Sequence, residues 1–245
     1  MIRLFIETEK LTINQQITIS DADFNYLVNV MRLKVDEQFL VFNGIDGEFL
    51  AQISQISKKK CQIILIKKTK DQPKPNKISL AFAPIKNARQ DFVAQKSCEL
   101  GVYNLYPLLM QHSIVDKINY KKFNANLKEA CEQCNRLDIP KLFELQKLTQ
   151  FCQNLTNKIL ILADESGGGK KVSQILPKLT IKPDQEIIIF IGPEGGFSKQ
   201  EFAMFETLPN LIKISLGKTI LRADTAAISA LTLINEFTTQ DPPGK

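Results

Sequence analysis

Two different periods of hydrophobicity divide this chain. Up to about residue 70 the apolar positions fall in short runs: RLFIE (3–7), QQITIS (15–20), EQFLVFNG (37–44), GEFLAQISQIS (47–57) and CQIILIKK (61–68). These runs are rich in Ile, Val, Phe and Leu and are broken by polar or glycine-containing turns. That pattern predicts a small, largely antiparallel sheet curled into a β-barrel. One helix is expected among the strands, because Ser20 and Asp23 match a capping box and Phe24, Leu27, Val28 and Met31 recur on one face. The segment TKDQPKPNK (69–77) then combines two prolines with polar and charged neighbours, which disfavours regular structure. The expected organisation is a first domain over 1–70, a linker over 71–77 and a second domain over 78–245.

Beyond the linker, buried strands alternate with helices. KISLAFAP (77–84) is almost continuously apolar, as a strand covered on both faces must be. A helix over 88–100 follows, with Gly101 placed to end it. Then come LYPLLM (105–110), a helix around 125–137, KILILADE (158–165), EIIIFIGP (186–193), LIKISLG (211–217) and a last helix over 224–237. This order predicts an α/β domain with a parallel sheet, whose ligand binds outside the carboxyl ends of the strands.

Composition narrows the class of protein. A hydrophobic fraction of 44% with 24% charged residues fits a folded chain. The formal net charge of +6 favours a polyanionic partner without identifying one. Five scattered cysteines, an odd number, fit a reducing compartment rather than a disulfide framework. The opening MIRLFIETEKL lacks the apolar run of a signal peptide, and no stretch approaches a membrane helix. The chain is therefore expected to be cytoplasmic, complete from residue 1, and without a membrane partner. His112 is the single histidine, and Cys131 and Cys134 have no second ligand pair, so no metal is expected and both thiols read as core or semi-buried.

Three segments are candidates for chemistry. In IIIFIGPEGGFSKQE (187–201) a buried strand runs into a loop of three glycines and a proline, and Ser198 and Glu201 form a capping box for the next helix. Glycines let backbone groups approach a ligand closely, although a plain strand-to-helix turn fits the same residues. The run lacks the ending of a P-loop. In SLGKTILRADTAAISALTLI (215–234) a second strand ends at a glycine, Arg222 follows, and Asp224 or Thr225 is placed to cap an alanine-rich helix. DESGGGK (164–170) ends a third strand and reads either as a loop over a site or as ordinary surface.

These residues resemble a known family. IGPEGGFS (191–198) with Glu201, and LGKTILRADTAAISAL (216–231), are similar to the paired signatures of the RsmE family, 16S rRNA (uracil-N3)-methyltransferases of the SPOUT superfamily. QKSCELGV (95–102), EACEQCNRLDIPKL (129–142) and LVNVMRLKVDEQFLVFNG (27–44) agree in the same order, so the resemblance spans nearly the whole chain. It departs at Phe24-Asn25-Tyr26, where histidines are common, at Gln111-His112 in place of a Glu-Arg pair, and at Asp224 in place of Glu.

The resemblance implies a PUA-like β-barrel followed by a SPOUT α/β methyltransferase domain with a C-terminal trefoil knot, which periodicity alone does not reveal. It implies S-adenosyl-L-methionine as cofactor, 16S rRNA in the 30S subunit or a late precursor as partner, and a homodimer. The cofactor is expected at Leu162, Ala163, Ile191, Gly192, Pro193, Glu194, Gly195, Gly196, Leu216, Gly217, Ile220, Leu221, Arg222 and Thr225. Arg222 is the expected charge-stabilising or base-orienting residue, and Glu194 the expected base-orienting or proton-accepting one. Arg32, Lys34, Arg89, Lys96 and Arg136 are the expected RNA contacts. A non-catalytic ribosome-assembly factor on this scaffold, and a nucleotide-phosphate-dependent α/β protein, stand as the other readings.

Overall fold

The structure is a computed structural model that describes residues 1–182 and 184–238. It divides into two compact units. The first holds Met1–Lys74 together with Cys131–Ile139, and the second holds Pro75–Ala130 and the chain from Pro140 onward.

The first unit is a five-stranded sheet of β1 (Arg3–Phe5), β2 (Gln16–Ser20), β3 (Gln38–Phe42), β4 (Glu48–Ile56) and β5 (Lys60–Lys70) in the order β1-β3-β4-β5-β2. Only the β1–β3 pair is parallel. Three register shifts between β4 and β5 bend the sheet. Cys61, Ile63 and Leu65 are buried while Gln62 and Ile64 between them are half-buried, the period-two alternation of a sheet with one covered face. Helix α1 (Asp21–Phe24) is short, and the chain continues over Asn25–Val30 in the wider π winding. Two expectations fail here. Ser20 makes no capping bond, because its hydroxyl donates to Asp21 Oδ2 at 2.6 Å. The π winding also carries Met31 off the buried face, leaving Phe24 and Leu27 in the core and Met31 exposed.

A buried ion pair ties Cys131–Ile139 into this unit. Arg3 Nε lies 2.9 Å from Glu48 Oε2, and the guanidinium also donates to the carbonyls of Cys131 and Arg136, each at 2.9 Å. Both side chains are almost fully buried. Burial raises the Glu48 carboxyl, but bonds from Arg3, Thr69 and Lys70 outweigh it and hold the group below its ordinary value.

The second unit is built on a parallel sheet. Its strands are β6 (Ile78–Phe82), β7 (Asn104–Leu109), β8 (Lys141–Leu142), β9 (Gln146–Lys147), β10 (Ile159–Ala163), β11 (Lys170–Lys171), β12 (Ile187–Ile191) and β13 (Leu211–Ser215). The order is β11-β13-β10-β12-β6-β7-β8, with β9 also paired to β7. Every residue of β6, β10 and β12 is buried, as expected of central strands covered on both faces. The helices are α2 (Asn87–Glu99), α3 (Tyr120–Gln133), α4 (Leu148–Phe151), α5 (Val172–Ile175), α6 (Lys199–Glu206) and α7 (Ala223–Thr238). Helix α3 begins earlier and ends sooner than the expected 125–137, and Asn135 just beyond it takes a left-handed φ of 62°. That conformation, which asparagine tolerates well, stops a helix. Helix α7 starts at Ala223, so Asp224 lies in its first turn instead of capping it.

A glycine-walled cavity at the carboxyl ends of the central strands

Strands β10, β12 and β13 run parallel, so their carboxyl ends reach the same edge of the sheet. Each continues into a glycine-bearing turn, and the three turns wall a cavity of about 700 Å³. Ala163, Ile191, Gly192, Pro193, Glu194, Gly195, Gly196, Leu216, Gly217, Ile220 and Leu221 line it, all of them expected from the sequence. Leu162, Arg222 and Thr225 do not. Leu162 alternates with Ala163 and points into the core, fully buried. Arg222 and Thr225 are exposed, with Arg222 between the lining residues Leu221 and Ala223. The cavity also uses Asp164, Glu165, Phe197 and Lys218, which had no assigned role. The three glycines after Asp164 were the available signal, but nothing in the sequence marks which acids of that loop turn inward.

Polar contacts hold the 192–197 loop from several sides. Glu165 Oε1 accepts the Phe197 N–H at 2.9 Å. His112 Nδ1 lies 3.0 and 3.1 Å from the carbonyl oxygens of Gly195 and Gly196, so this nitrogen carries the proton and donates. The capping box forms as expected, Ser198 Oγ accepting from Glu201 N and Glu201 Oε2 from Ser198 N. The other Glu201 oxygen accepts the Gln111 N–H at 2.8 Å. The Gln111-His112 pair thus anchors the turn after β7 to the glycine loop. Arg89 spans two segments, with Nη1 3.7 Å from Glu194 Oε1 and Nε 3.9 Å from Asp224 Oδ2.

Gly196 adopts φ +71°, and a Cβ there would come within 2.6 Å of Glu165 Oε1. Gly196→Ala is therefore expected to lower stability by about 1–2 kcal/mol from left-handed strain alone, and to push Glu165 off the Phe197 amide. Urea unfolding measures the first effect; an unchanged midpoint would show that the loop refolds around the methyl group.

Comparison with known proteins places this geometry. The description "RNA methyltransferase domain" matches residues 72–235, and "RNA methyltransferase PUA domain" matches residues 19–66. A ribosomal RNA small subunit methyltransferase E from Rickettsia conorii is 33% identical over 233 residues, covering 95% of this chain and 94% of that protein. The chain belongs to the ribosomal RNA small subunit methyltransferase E family. A second family member, from Buchnera aphidicola, is 34% identical over 239 residues, covering 95% of this chain and 92% of its own. The structure of a putative methyltransferase from Legionella pneumophila, in complex with the bound cofactor SAM, is 28% identical with a TM-score of 0.81, covering 96% and 97% of the two chains. The fold is thus the SPOUT-type α/β methyltransferase fold preceded by a small PUA-like β-sheet region.

The basic residues expected at the RNA differ in their engagement. Arg32 and Lys34 are exposed, and no ion pair engages them among the described residues. Lys96 is paired with Glu99 at 2.7 Å, Arg136 with Asp138 at 2.8 Å, and Arg89 with its two carboxylates. Among the described residues no group of three or more His, Cys, Asp or Glu side chains is arranged to hold a metal, and no helix is long and apolar enough to cross a membrane.

Proposed function

We propose that this chain methylates N3 of a uridine in 16S rRNA, using S-adenosyl-L-methionine as methyl donor. The observation that carries the reading is the cavity walled by three glycine-bearing turns, in a chain of this family. Its volume of about 700 Å³ suits a nucleoside-sized ligand. The glycines open backbone N–H and C=O groups to such a ligand. Asp164 Oδ2, buried without a hydrogen-bond partner among the described residues, is the kind of atom a polar ligand satisfies. The residues that would hold the cofactor are Ala163, Ile191–Gly196, Leu216, Gly217, Ile220 and Leu221, with Leu162 behind them and Thr225 in the first turn of α7. Bound there, S-adenosylmethionine supplies a methyl group activated by a positively charged sulfur.

The protein's own part is to hold the base and manage its charge. Uracil N3 carries a proton at neutral pH, and as that proton leaves, negative charge develops on O2 and O4. Arg222 stands beside the cavity with its guanidinium unpaired among the described residues, and it stabilises that charge or orients the ring. Glu194 lines the cavity, where it orients the base or accepts the proton, and Arg89 holds its carboxylate. A target base turned out of the RNA gives N3 the access it needs.

The RNA-binding surface includes Arg32, Lys34, Arg89, Lys96 and Arg136. Arg32 and Lys34 carry the larger share, since their charges are not committed to carboxylates. Replacing both with alanine is expected to flatten the plot of log affinity against log salt by about 0.7–0.9 per residue; an unchanged slope removes them from the interface. The reading extends to the 30S subunit or a late precursor as substrate, a cytoplasmic location and a homodimer, which sedimentation tests directly. It includes the C-terminal trefoil knot, supported by a sheet order in which β13 lies beside β10 on the side away from β12. Mass spectrometry of rRNA nucleosides from cells lacking the gene is expected to show loss of 3-methyluridine; retention of the full amount rejects the reading.

A further inference from the structure

The charged side chains lining the cavity are Asp164, Glu165, Glu194 and Lys218, an excess of acid. Two of the carboxylates already have partners, Glu165 in the Phe197 amide and Glu194 in Arg89. Asp164 is half engaged. Its Oδ1 accepts the Ser166 N–H at 2.8 Å and the Ser166 hydroxyl at 2.6 Å, which fixes the plane of the carboxylate. Its Oδ2 is buried and has no partner among the described residues, in a residue only 6% exposed. A buried carboxylate oxygen without a donor is costly, and folded proteins hold few of them.

A second observation concerns the space around that oxygen. A Cβ at Gly168 would stand 2.8 Å from Asp164 Oδ2. Gly168 does not have the positive φ that requires glycine elsewhere in this loop. Its lack of a side chain is therefore explained by its close packing against that oxygen, not by backbone conformation. The loop orients Asp164 and leaves one of its oxygens buried without a donor among the described residues.

Resting on the methyl-transfer reading, we infer that Asp164 is a cofactor-binding residue whose Oδ2 accepts a hydrogen bond from the ammonium group of S-adenosylmethionine. The sulfonium has a charge but no N–H or O–H to donate. The ribose hydroxyls are donors but are neutral, and a backbone carbonyl serves them equally well. The ammonium is both donor and cation, and a buried carboxylate in a glycine-walled cavity with an excess of acid matches it on both counts.

Calorimetry on the full chain tests this with three ligands: S-adenosylmethionine, its demethylated product S-adenosylhomocysteine, and methylthioadenosine, which keeps the nucleoside but lacks the amino-acid end. Asp164→Asn, which keeps the size of the side chain and an oxygen for Ser166, is expected to weaken the first two by about 10- to 100-fold and to leave methylthioadenosine nearly unchanged. A purely structural disturbance of the loop would weaken all three alike, so the ratio of affinities is the deciding quantity. Equal weakening of all three, or no change in any, overturns the inference. Unmutated, folded protein that binds none of the three overturns the methyl-transfer reading itself, an outcome the mutant series cannot produce.

Discussion

Arg222→Ala is expected to lower the single-turnover rate of methylation by about 10²–10³-fold at saturating RNA and cofactor, while affinity for the cofactor stays close to that of the unmutated protein. The split follows from position. Arg222 is exposed and lies outside the residues lining the cavity but directly between two of them, Leu221 and Ala223, so removing its side chain leaves the cavity wall in place. Its backbone is fixed, because its carbonyl accepts the Ala226 N–H at 2.8 Å in the first bond of α7. A cation rooted in a helix start and not spent on an internal carboxylate is available for charge that appears only as the base loses its proton. Arg222→Lys is expected to recover part of the rate, since the charge returns but the planar fork does not. A normal single-turnover rate in the alanine variant removes Arg222 from the chemistry. A loss confined to cofactor affinity reassigns it to binding.

The legible parts of the molecule were those in which one local pattern has one physical outcome. Five consecutive apolar residues at 159–163 and 187–191, and a run at 78–82 broken only by Ser79, admit little but a strand covered on both faces. Ser198 and Glu201, spaced for mutual capping, form that cap. The two glycine loops were readable as partners because strands ending in glycine at one sheet edge converge, and they do line one cavity. What escaped depended on contacts distant in the chain. Ser20 has the same local spacing as Ser198 but spends its hydroxyl on its neighbour Asp21, a choice that spacing does not reveal. Arg89 reads as a surface cation until Glu194 and Asp224, more than a hundred residues away, are brought beside it. Asp164 follows a strand like any loop acid. Only the packing of Gly168 and Ser166 around it separates its two oxygens. The departure at His112 was visible as a change of residue type, but its reach to the carbonyls of Gly195 and Gly196 was not.

Glu186→Ala is expected to cost about 3–5 kcal/mol of unfolding free energy, because it leaves three buried donors without their acceptor and a half-buried lysine without its counter-ion. Glu186 lies just before β12 and gathers donors from the amino ends of three neighbouring strands. Lys158, just before β10, pairs with Oε2, while Ser79 of β6 and Asn104 and Tyr106 of β7 all donate to Oε1. Burial alone raises the carboxyl, yet the bonds from Lys158, Ser79 and Asn104 outweigh it, and the group lies below its ordinary value of 4.5. Burial, and then the charge of Glu186, push the Tyr106 phenol well above its usual range, so it stays a donor. A carboxyl depressed on folding contributes stability that is fully present above its unfolded pKa and is lost as pH falls through the folded one. Glu186→Gln keeps an acceptor but cannot titrate. Its stability curve in urea is therefore expected to be flatter than that of the unmutated protein from about pH 5 downward, the two converging in acid. The difference between the curves isolates Glu186 from other acid-sensitive groups such as Glu48. Curves that stay parallel down to about pH 3 would show that this carboxylate is not linked to folding, and a loss of under about 1 kcal/mol in the alanine variant would show that the donors find water instead.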